Sequence, residues 1–485
     1  MLLQRIIETL PIESVLGDTN RDICSITHDS RKAGTKDIFV AIRGERVDGR
    51  KFTPQLNVAA VIADAPVEVR KGVTVIYVPN ARQALAQAAA TLYEHPSQKM
   101  YVIGLTGTNG KSTTAWILEH LMLYHRVPVA VIGTIGHRFQ GRDVSTQDGR
   151  TTPESSTLQS LFHDWEQKGC QTVIMEVSSI GLAWFRVDGI QFSAAVFTNF
   201  SRDHLDFHNT MDDYLASKRR LFSDLLCDRS LSILNADDSA VVQTPVSQGE
   251  RWNFSATQPS DLFASNIRQT LAGLRCEIQS PKSSFSLSSP LIGRHNVENI
   301  LCAIGCALGF GLSIQQIQEA LSHTPPVPGR LERVPSAIPI FVDYAHTPDA
   351  LRHALLTLRE LCAGKLIVVF GCGGDRDPGK RKIMGEIAEK QSDFPIVTSD
   401  NPRSEDPLSI IEEIKQGMSN PLCIVNREEA IQKAIQIAST NDIVLIAGKG
   451  HETYQEINGI KHAFDDRIVA TRYAPPPSSS NAGSI

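Results

Sequence analysis

The sequence has no long hydrophobic run. Nowhere among its 485 residues does an uninterrupted apolar stretch approach the roughly 20 residues that a membrane-spanning helix needs. The opening MLLQRIIETLPIES is typical of an amphipathic helix and not of a signal peptide. We therefore expect a soluble protein of the cytoplasm, without membrane insertion.

The sequence also lacks an excess of positive charge. Its 48 Lys and Arg residues are outnumbered by 53 Asp and Glu residues, which gives a net charge of −5. This balance argues against a protein that works by coating nucleic acid or an anionic membrane. Local basic pockets are compatible with this balance.

Paired cysteine motifs are missing as well. The nine cysteines are odd in number and scattered, with no CxxC spacing, which argues against a disulfide or zinc framework. Cys302 and Cys306 lie one helical turn apart in an apolar stretch. We interpret them as small core residues rather than as metal or redox groups.

The composition that remains is that of a folded protein with several domains. Hydrophobic residues make up 41% and charged residues 21% of the chain, and the length predicts two to four domains. Boundaries are predicted near HisProSerGln and within the proline-rich HTPPVPGRLE. The predicted fold is α/β with a small N-terminal α/β domain at 1–97, a central domain at 98–326, a C-terminal domain at 327–475 and a disordered tail at 476–485.

Alternating strands and helices define the two larger domains. The central one begins with MYVIGLTGTNGKSTTAWILEHLML, which predicts a buried strand, a glycine-rich turn and a helix, and it continues with mainly parallel strands. Its segment 241–290 is polar and predicts a β-hairpin with loops. Helices predicted from Pro348, Pro378 and Pro407 alternate with apolar strands, which indicates a doubly wound, Rossmann-like C-terminal domain.

The glycine-rich turn has the composition of a phosphate-binding loop. Gly107 and Gly110 precede Lys111 and Ser112, so backbone N–H groups and a lysine can cradle a polyphosphate while the serine hydroxyl reaches Mg²⁺. The match to the common pattern is imperfect, because Leu105 occupies the position of its first glycine. The alternative is an ordinary strand-to-helix turn. We predict nucleotide binding.

Further polar residues follow the next strands of the central domain. Glu176 ends the strand TVIMEV, where an acid can hold Mg²⁺, although a capping role is equally typical of such a position. His204 and His208 have the spacing of zinc ligands, but the HExxH glutamate is missing. Lys218 lies on a charged helix, and the residues alone indicate an ordinary surface lysine.

The predicted strands of the C-terminal domain are also followed by polar loops. These contain Asp343 and His346, the cations Arg376, Lys380 and Arg381, and the segments 400–403 and 448–452. Turn chemistry accounts for glycine and aspartate here but not for several cations at one sheet edge. The loops therefore predict a site for an anionic small molecule.

Taken together, these motifs resemble the Mur ligase family over nearly the whole chain. The motifs are TGTNGKST, MEVSS, FTNFSRDHLDFH, NADD, GRHNVEN, PGRLE and DYAHTPDAL, in the family's order. Within the family, HDSR, TTPE, GCGGDRDPGKR, DNPRSEDP and GKGHETYQ most resemble members that add meso-diaminopimelate to UDP-N-acetylmuramoyl-L-alanyl-D-glutamate. The resemblance implies a central ATPase domain, an N-terminal domain for the UDP end of the substrate and a C-terminal domain that brings the amino acid.

The resemblance also implies an activity in peptidoglycan precursor synthesis and the residues that carry it. ATP would phosphorylate the D-glutamate γ-carboxylate, and the incoming amine would attack the acyl phosphate. The implied catalytic residues are Lys111, Glu176, His204 and Lys218, with Mg²⁺ held by Ser112, Glu176, His204 and a carbamylated Lys218. The implied ATP-binding residues are Gly107, Thr108, Asn109, Gly110, Lys111, Ser112, Thr113, Asn296, Arg330 and Asp343.

The remaining implied residues bind the other two substrates. Those for the UDP-muramoyl-dipeptide are Ser30, Thr151, Thr152, Ser178 and Arg186. Those for diaminopimelate are Arg376, Asp400, Asn401, Pro402, Arg403, Gly448 and Glu452. Two positions depart from the family, because Trp184 stands where relatives often carry Gln and Arg150 where an Asn is frequent. These departures affect contacts to the muramoyl peptide.

Three alternatives share parts of the pattern. One is the sister ligase that adds L-lysine, another is a folylpolyglutamate synthetase with the same ATPase core, and the third is a catalytically silent nucleotide-binding scaffold. Arg403 favours diaminopimelate over lysine, because its guanidinium offers two parallel donors to the distal carboxylate. A role in bracing the loop after Pro402 is the alternative for this side chain.

Overall fold

A computed structural model of the chain describes residues 1–44, 47–144, 149–205 and 207–476. The predicted disordered tail, apart from Pro476, lies outside the described residues. Within them, no helix has both the length and the apolar composition required to cross a membrane. All nine cysteines belong to the described residues and are free thiols there.

The described residues form strands and helices in alternation. The strands are β1 (Ser14–Leu16), β2 (Ser25–Thr27), β3 (Asp37–Val40), β4 (Ala60–Ala63), β5 (Thr74–Tyr77), β6 (Tyr101–Thr106), β7 (Val129–Gly133), β8 (Gly136–Phe139), β9 (Arg142–Asp143), β10 (Thr172–Glu176), β11 (Phe192–Phe197), β12 (Leu226–Asn235), β13 (Glu250–Ser255), β14 (Leu262–Thr270), β15 (Gly273–Gln279), β16 (Ser284–Ser289), β17 (Glu332–Val334), β18 (Ile340–Asp343), β19 (Leu366–Phe370), β20 (Phe394–Val397), β21 (Leu422–Cys423), β22 (Ile443–Ala447), β23 (Tyr454–Ile457) and β24 (Ile460–Ala463). The α-helices are α1 (Leu3–Ile7), α2 (Ala81–Leu92), α3 (Lys111–Tyr124), α4 (Ser155–Gln167), α5 (Ser179–Ala183), α6 (Met211–Ser223), α7 (Ser239–Val242), α8 (His295–Phe310), α9 (Ile314–Ser322), α10 (Pro348–Arg359), α11 (Gly379–Gln391), α12 (Pro407–Lys415), α13 (Arg427–Ile437) and α14 (Asp466–Tyr473). Two 3₁₀ helices span Gly49–Gln55 and Pro96–Lys99.

Among the described residues, three sheets have mainly parallel centres, and a fourth pairs the antiparallel strands β23 and β24. The first has the order β1-β5-β4-β3-β2, the second β16-β15-β14-β13-β12-β11-β6-β10-β7-β8-β9, and the third β17-β18-β22-β19-β20-β21. The central strands β11, β6, β10 and β7 run parallel, as do β18, β22, β19 and β20. The predicted α/β class with parallel sheets is confirmed.

The central strands are largely buried, as their apolar sequences predict. Every residue of β10 and of β22 is buried, which is the pattern of parallel strands covered on both faces. The helices α3, α4, α10 and α11 supply apolar residues to these cores. Three helices begin where proline predicts them, since Pro348 and Pro407 open α10 and α12 and Pro378 caps α11.

One predicted element differs in its extent. The segment 241–290, expected to be a single hairpin, contains the four strands β13 to β16. In β15 and β16 buried and exposed residues alternate, so each strand has one apolar and one polar face. The high serine content made this stretch resemble loops, although serine on the exposed face of a strand is compatible with pairing.

The chain divides into two compact units. The first contains Met1–Ser265, Glu277–Ser286 and Glu298–Leu321, and the second contains Asn266–Cys276, Leu287–Val297 and the chain from Ser322 onward. The first sheet and the parallel centre of the second belong to the first unit, and the third sheet belongs to the second. The domain boundaries at 97, 326 and 475 remain predictions.

Candidate active site

Three neighbouring parallel strands of the first unit end at one place. In the sheet β6 lies between β10 and β11, with Glu176 opposite Leu105 and Phe197 opposite Thr106. The loop after β6, the last residue of β10 and the segment after β11 therefore meet at the same edge. This is where ligands bind in open parallel sheets.

The loop after β6 has a shape that requires glycine at two positions. Gly107 and Gly110 have φ values of 143° and 86°, in the region that other residues rarely adopt. A Cβ atom at Gly107 would collide with the Thr198 hydroxyl, and one at Gly110 with the Asn299 side chain. The loop leads directly into α3, which begins at Lys111. The sequence-predicted strand, loop and helix are confirmed.

Lys111 folds back over this loop. Its Nζ donates to the carbonyl oxygens of Gly107 and Thr108 at 2.8 and 2.9 Å. Ser112 follows it in the first turn of α3 and is partly exposed, whereas Thr113 is buried. The ammonium group and the helix N-terminus thus lie on one short loop, the arrangement that suits a polyphosphate.

Lys218, on α6, reaches the same loop from the other side. Its side chain is buried, and its Nζ donates to the Gly107 carbonyl at 2.9 Å and lies 4.6 Å from the centre of the Tyr214 ring. Burial, reinforced by the positive charge of Lys111, holds the pKa of Lys218 well below its usual value. The expectation of an exposed lysine, drawn from the residues alone, is wrong, because α6 turns this face toward the sheet.

Glu176 is buried at the end of β10 and is held on both oxygens. The Thr134 amide donates to Oε1 at 3.0 Å and the Thr134 hydroxyl to Oε2 at 3.1 Å. Gly133 precedes this threonine, and a Cβ atom there would collide with Oε1. A carboxylate fixed in this way presents its remaining lone pairs in a defined direction.

Several residues that support this edge were not singled out by the sequence. Asn199 accepts from the Asn109 amide at 2.9 Å, and the Thr198 hydroxyl donates to the Asn109 carbonyl at 2.5 Å. Thr134 fixes Glu176. All three follow strands of the sheet, and the sequence FTNFS carried a signal because its polar residues come directly after the buried β11.

The two histidines lie between β11 and α6, outside a helix. His204 is half-exposed with a φ of 52°, and its carbonyl accepts from the His208 amide at 2.9 Å. His208 is buried against the Tyr214 ring. Among the residues that the structure describes, no group of three or more His, Cys, Asp or Glu side chains has the arrangement of a metal site.

Four of the five residues implied for the muramoyl peptide lie in one group of contacts beside Glu176. The Thr152 hydroxyl donates to the Glu176 carbonyl at 3.0 Å and accepts from the Ser178 amide at 3.0 Å. Arg186 donates to the Thr152 carbonyl at 3.1 Å, and the Thr151 hydroxyl lies 3.0 Å from that of Thr134. Ser30, in the loop after β2, is half-buried and is not part of these contacts.

In the second unit, two of the implied ATP residues line one cavity. Asn296 and Arg330 share it with apolar side chains that include Leu271, Ile292 and Phe341. Asp343 is buried at the end of β18, where its carboxylate accepts a hydrogen bond from the Leu331 amide at 2.7 Å. Burial raises the pKa of Asp343, and the charge of Arg330 opposes that rise.

A second group in this unit joins the loops after β20 and β22. Lys449 is fully buried and donates to Asn401 Oδ1 at 2.9 Å and to Glu452 Oε2 at 3.0 Å, and Asn401 also donates to Glu452 at 2.8 Å. Asp400 is buried beside Gly448, whose φ is 121° and whose missing Cβ leaves room for the Asp400 carboxylate. The predicted convergence of these loops is confirmed for this group.

Arg403 sits at the edge of the same group in a strained backbone conformation, with a φ of 51°. Its guanidinium donates to the Gly374 carbonyl at 2.6 Å and lies 3.4 Å from Glu456. Pro402 precedes it, and Arg376 is exposed in the loop after β19. The bracing contact is therefore present, and the guanidinium keeps further donors for a ligand.

Comparison with family models matches three segments of the chain. The Mur ligase family catalytic domain matches residues 22–93, the Mur ligase middle domain residues 105–307 and the Mur ligase glutamate ligase domain residues 329–450. The matches follow one another along the chain without overlap.

Two similar proteins carry the same name. A UDP-N-acetylmuramoyl-L-alanyl-D-glutamate–2,6-diaminopimelate ligase of Caldanaerobacter subterraneus is 40% identical over 94% of this chain and 95% of its own length. A ligase of the same name from Gloeobacter violaceus is 41% identical over 93% of both chains.

Solved structures agree with this result. A structure with the same ligase name has a TM-score of 0.74 and 34% identity and covers 98% of both chains. A Mycobacterium tuberculosis folylpolyglutamate synthase has a TM-score of 0.61 at 18% identity, covers 75% of this chain and 91% of its own, and shares the fold alone. The phosphate loop, its buried acid and lysine, and these similarities lead to one conclusion: the chain belongs to the Mur ligase family of ATP-dependent ligases.

Proposed function

We propose that the protein adds meso-diaminopimelate to the D-glutamate γ-carboxylate of UDP-N-acetylmuramoyl-L-alanyl-D-glutamate, in peptidoglycan precursor synthesis. The observation that carries this proposal is the meeting of the phosphate loop, Glu176 and Lys218 at the ends of three adjacent parallel strands. The names of relatives about 40% identical support the choice of substrates.

The reaction needs two steps, because a carboxylate is a poor acyl donor. The γ-phosphoryl group of ATP moves to a γ-carboxylate oxygen, and ADP leaves. The amine of diaminopimelate then attacks the acyl carbon, phosphate leaves with the bonding electrons, and the new amide nitrogen loses a proton. Lys111 and the amides of residues 107–113 neutralise the phosphate charge in the first step.

The residues at the strand ends fit Mg²⁺ to different degrees. Ser112 and Glu176 offer oxygen atoms, which Mg²⁺ prefers, and Glu176 is already oriented by Thr134. His204 would complete a second site with Lys218. An ammonium group does not bind a cation, so Lys218 fits only after modification. Bound Mg²⁺ supplies charge stabilisation for phosphoryl transfer.

Carbamylation of Lys218 is the modification that makes it fit. The ammonium first loses a proton, and the neutral amine then attacks CO₂. An N–C bond forms as one C=O π bond of CO₂ opens, and the nitrogen releases a proton, so that a carbamate anion replaces the original cation. The buried position of Lys218 and the nearby charge of Lys111 both favour the neutral amine that this reaction requires.

The adenosine of ATP is assigned to residues of the second unit. The residues considered for it are Asn296 and Arg330, which line one cavity with apolar walls. Arg330 is assigned to the transferred phosphoryl group and Asp343 to the ribose. Ser30, Thr151, Thr152, Ser178 and Arg186 are assigned to the UDP-muramoyl-dipeptide.

The distal end of diaminopimelate is assigned to Arg403 and its neighbours. The guanidinium would pair with the distal carboxylate and Glu452 with the distal ammonium. Arg376, Asp400, Asn401, Pro402 and Gly448 complete the set. An enzyme of this kind works in the cytoplasm as a monomer, with its N-terminal, central and C-terminal domains at 1–97, 98–326 and 327–475.

One assay tests the proposal. Phosphate release is measured with UDP-muramoyl-dipeptide, ATP and a panel of amino acids that includes meso-diaminopimelate and L-lysine. We expect turnover with diaminopimelate and little with lysine, because lysine leaves Arg403 without a carboxylate. Equal turnover of the two would favour the lysine-adding alternative.

Two variants complete this assay. Lys111→Ala is expected to abolish phosphate release while the fold persists, and normal turnover by this variant would overturn the ATPase assignment.

Arg403→Ala is expected to lose most diaminopimelate activity while ATP affinity changes little. Absence of turnover by the wild type with every amino acid would favour the silent scaffold.

A further inference from the structure

The second unit contains an ion pair that is completely buried. Arg427, the first residue of α13, donates from Nε and Nη2 to the two carboxylate oxygens of Asp466 at 2.8 and 2.7 Å. Asp466 is the first residue of α14, and neither side chain is exposed. Because both charges have lost their hydration, such a pair adds little to stability by itself. The remaining donors of the guanidinium indicate what the pair positions.

These donors reach the ends of two strands. Nη2 of Arg427 also donates to the Ala447 carbonyl at 3.0 Å, and Nη1 donates to the Ser399 carbonyl at 3.4 Å. Ala447 is the last residue of β22, and Ser399 lies two residues beyond the end of β20. In the sheet β19 lies between these two strands, so they do not pair with each other. The guanidinium therefore links two strand ends that the sheet itself keeps apart.

The residues next to this link belong to the set assigned to diaminopimelate. Asp400 follows Ser399 directly, and Gly448 follows Ala447. Arg427 Nη1 lies 4.0 Å from Asp400 Oδ2. A Cβ atom at Gly448 would collide with the same oxygen. The position of the Asp400 carboxylate thus depends on both the guanidinium and the glycine turn.

The two oxygens of Asp400 have different surroundings. Oδ1 accepts a hydrogen bond from the Asn401 amide at 2.7 Å. Oδ2 is buried and, within the part of the chain that the structure describes, accepts no hydrogen bond. A buried carboxylate oxygen without a donor is costly, so this arrangement is stabilised when a ligand supplies a donor. An ammonium group of a bound amino acid is such a donor.

Resting on the proposed function, we propose that Arg427 is a positioning residue for diaminopimelate. Asp466 holds its guanidinium, which in turn sets the spacing between the loops after β20 and β22 and the orientation of Asp400. Arg427 itself is too deeply buried to contact the substrate. Loss of the link should therefore weaken binding of diaminopimelate, whereas the affinities for ATP and the dipeptide substrate, which are assigned to other residues, should change little.

Steady-state phosphate release tests this inference. It gives kcat and the KM values for diaminopimelate, ATP and UDP-muramoyl-dipeptide, and urea unfolding gives the stability of each variant. The double variant Arg427→Met/Asp466→Leu removes both charges and leaves neither of them unpaired. Replacing a buried ion pair by apolar side chains in this way is often neutral for stability. Arg427→Lys keeps the charge without the planar fork.

The control is Arg472→Met. Arg472 lies on α14 and pairs with Glu428 of α13 at 2.6 Å, so it joins the same two helices as the buried pair. Its side chain is 57% exposed. This control separates the effect of the buried guanidinium from that of any contact between the two helices.

We expect the double variant to fold and to have a KM for diaminopimelate that is about tenfold higher or more, which is typical of lost hydrogen bonds to a charged group. Its KM values for ATP and the dipeptide substrate should change less than about twofold. Arg427→Lys should raise the KM for diaminopimelate by a smaller factor, because one donor group can replace only part of the fork. Arg472→Met should change none of the three values.

Other outcomes overturn the inference. A double variant with an unchanged KM for diaminopimelate would leave Arg427 a structural role only, and equal rises in all three KM values would indicate a general distortion. If the double variant does not fold, Arg427→Lys gives the answer, because an unchanged KM for diaminopimelate in it contradicts the inference and a selective rise supports it. Absence of turnover by the wild type with diaminopimelate would overturn the proposed function itself.

Discussion

Two buried lysines of this protein have opposite surroundings. Lys449 is fully buried with the Glu452 carboxylate at 3.0 Å and the Asn401 amide oxygen at 2.9 Å. Lys218 is equally buried, but its hydrogen bond goes to a backbone carbonyl that Lys111 also contacts. Within the described residues, no carboxylate lies within ion-pair distance of Lys218.

Under the proposed function, this difference separates a lysine that organises a binding pocket from one that is prepared for chemistry. A buried cation next to a carboxylate is compensated, and removing it leaves the carboxylate without its partner. A buried amine beside another cation is favoured in its neutral form, which is the nucleophilic form. Burial alone therefore does not define the role of a lysine, and the nearest charge decides it.

Removing Lys218 gives the largest expected effect. Lys218→Ala should lower turnover about a thousandfold or more, because both the loop contact and the proposed carbamate are lost. Short carboxylic acids such as formate should restore part of the activity by supplying an anion in the space that the side chain leaves. Steady-state phosphate release at increasing formate concentration measures this.

The control for this experiment is Lys168→Ala, which removes an exposed lysine of the same unit. It should keep full activity and show no response to formate. Near-normal turnover of Lys218→Ala would remove the distinction between the two buried lysines.

Replacing Lys449 should lower the stability of the fold and weaken the binding of one substrate. Lys449→Met should reduce the free energy of unfolding by about 2–3 kcal/mol, since the Glu452 carboxylate loses its partner while staying partly buried. The KM for diaminopimelate should rise, whereas ATP affinity should change little. Urea unfolding and initial rates measure the two effects. A loss of turnover with an unchanged KM would mean that Lys449 acts in the chemistry and not in the pocket.

The sequence predicted the elements that carry these lysines better than their surroundings. Buried strands followed by glycine predicted β6, the phosphate loop and α3 correctly, because local burial and turn chemistry determine them. The prediction that Lys218 is exposed on α6 was wrong, because the sequence of this helix does not show which of its faces packs on the sheet. The position of Lys218 follows from the packing of that helix on β6 and β12.

Contacts between residues that are far apart in the chain could not be predicted from the sequence for the same reason. Thr134 and Glu176 are 42 residues apart and meet because β7 and β10 are neighbours in the sheet. Strand order depends on the whole set of packed helices, and no local pattern contains it. The contact of Arg82 with Glu154 likewise joins two predicted domains, and NARQALA predicts only a capped helix.

The two lysines should also differ in how stability responds to pH. Since the pKa of folded Lys218 is lowered, the unfolded chain binds more protons between that pKa and about 10.4, its value in an unfolded chain. The free energy of unfolding of the wild type should therefore rise with pH in this window. Lys218→Met lacks the buried amine, so the amount by which its free energy of unfolding exceeds that of the wild type should become smaller over the same window. The slope cannot exceed about 1.4 kcal/mol per pH unit for one proton.

Urea unfolding in CO₂-free buffer between pH 7 and 9.5 measures this dependence. Lys168→Met provides the control, because it removes an exposed lysine of the same unit. The same pH dependence for both variants would show that the Lys218 amine is not held neutral in the fold.

The smallest effect is expected at a lysine that is paired but exposed. Lys168 lies 2.7 Å from Asp164 at the end of α4, and the two side chains are 56% and 52% exposed. Lys168→Met should cost about 0.3–0.5 kcal/mol, because water screens the pair and both side chains lose rotamer freedom in forming it. In 1 M salt this cost should disappear, whereas the cost of Lys449→Met should remain, since salt does not reach a buried pair. Equal salt dependence of the two variants would mean that the Lys449 pair is open to solvent, and the contrast between a compensated buried lysine and an exposed one would fail.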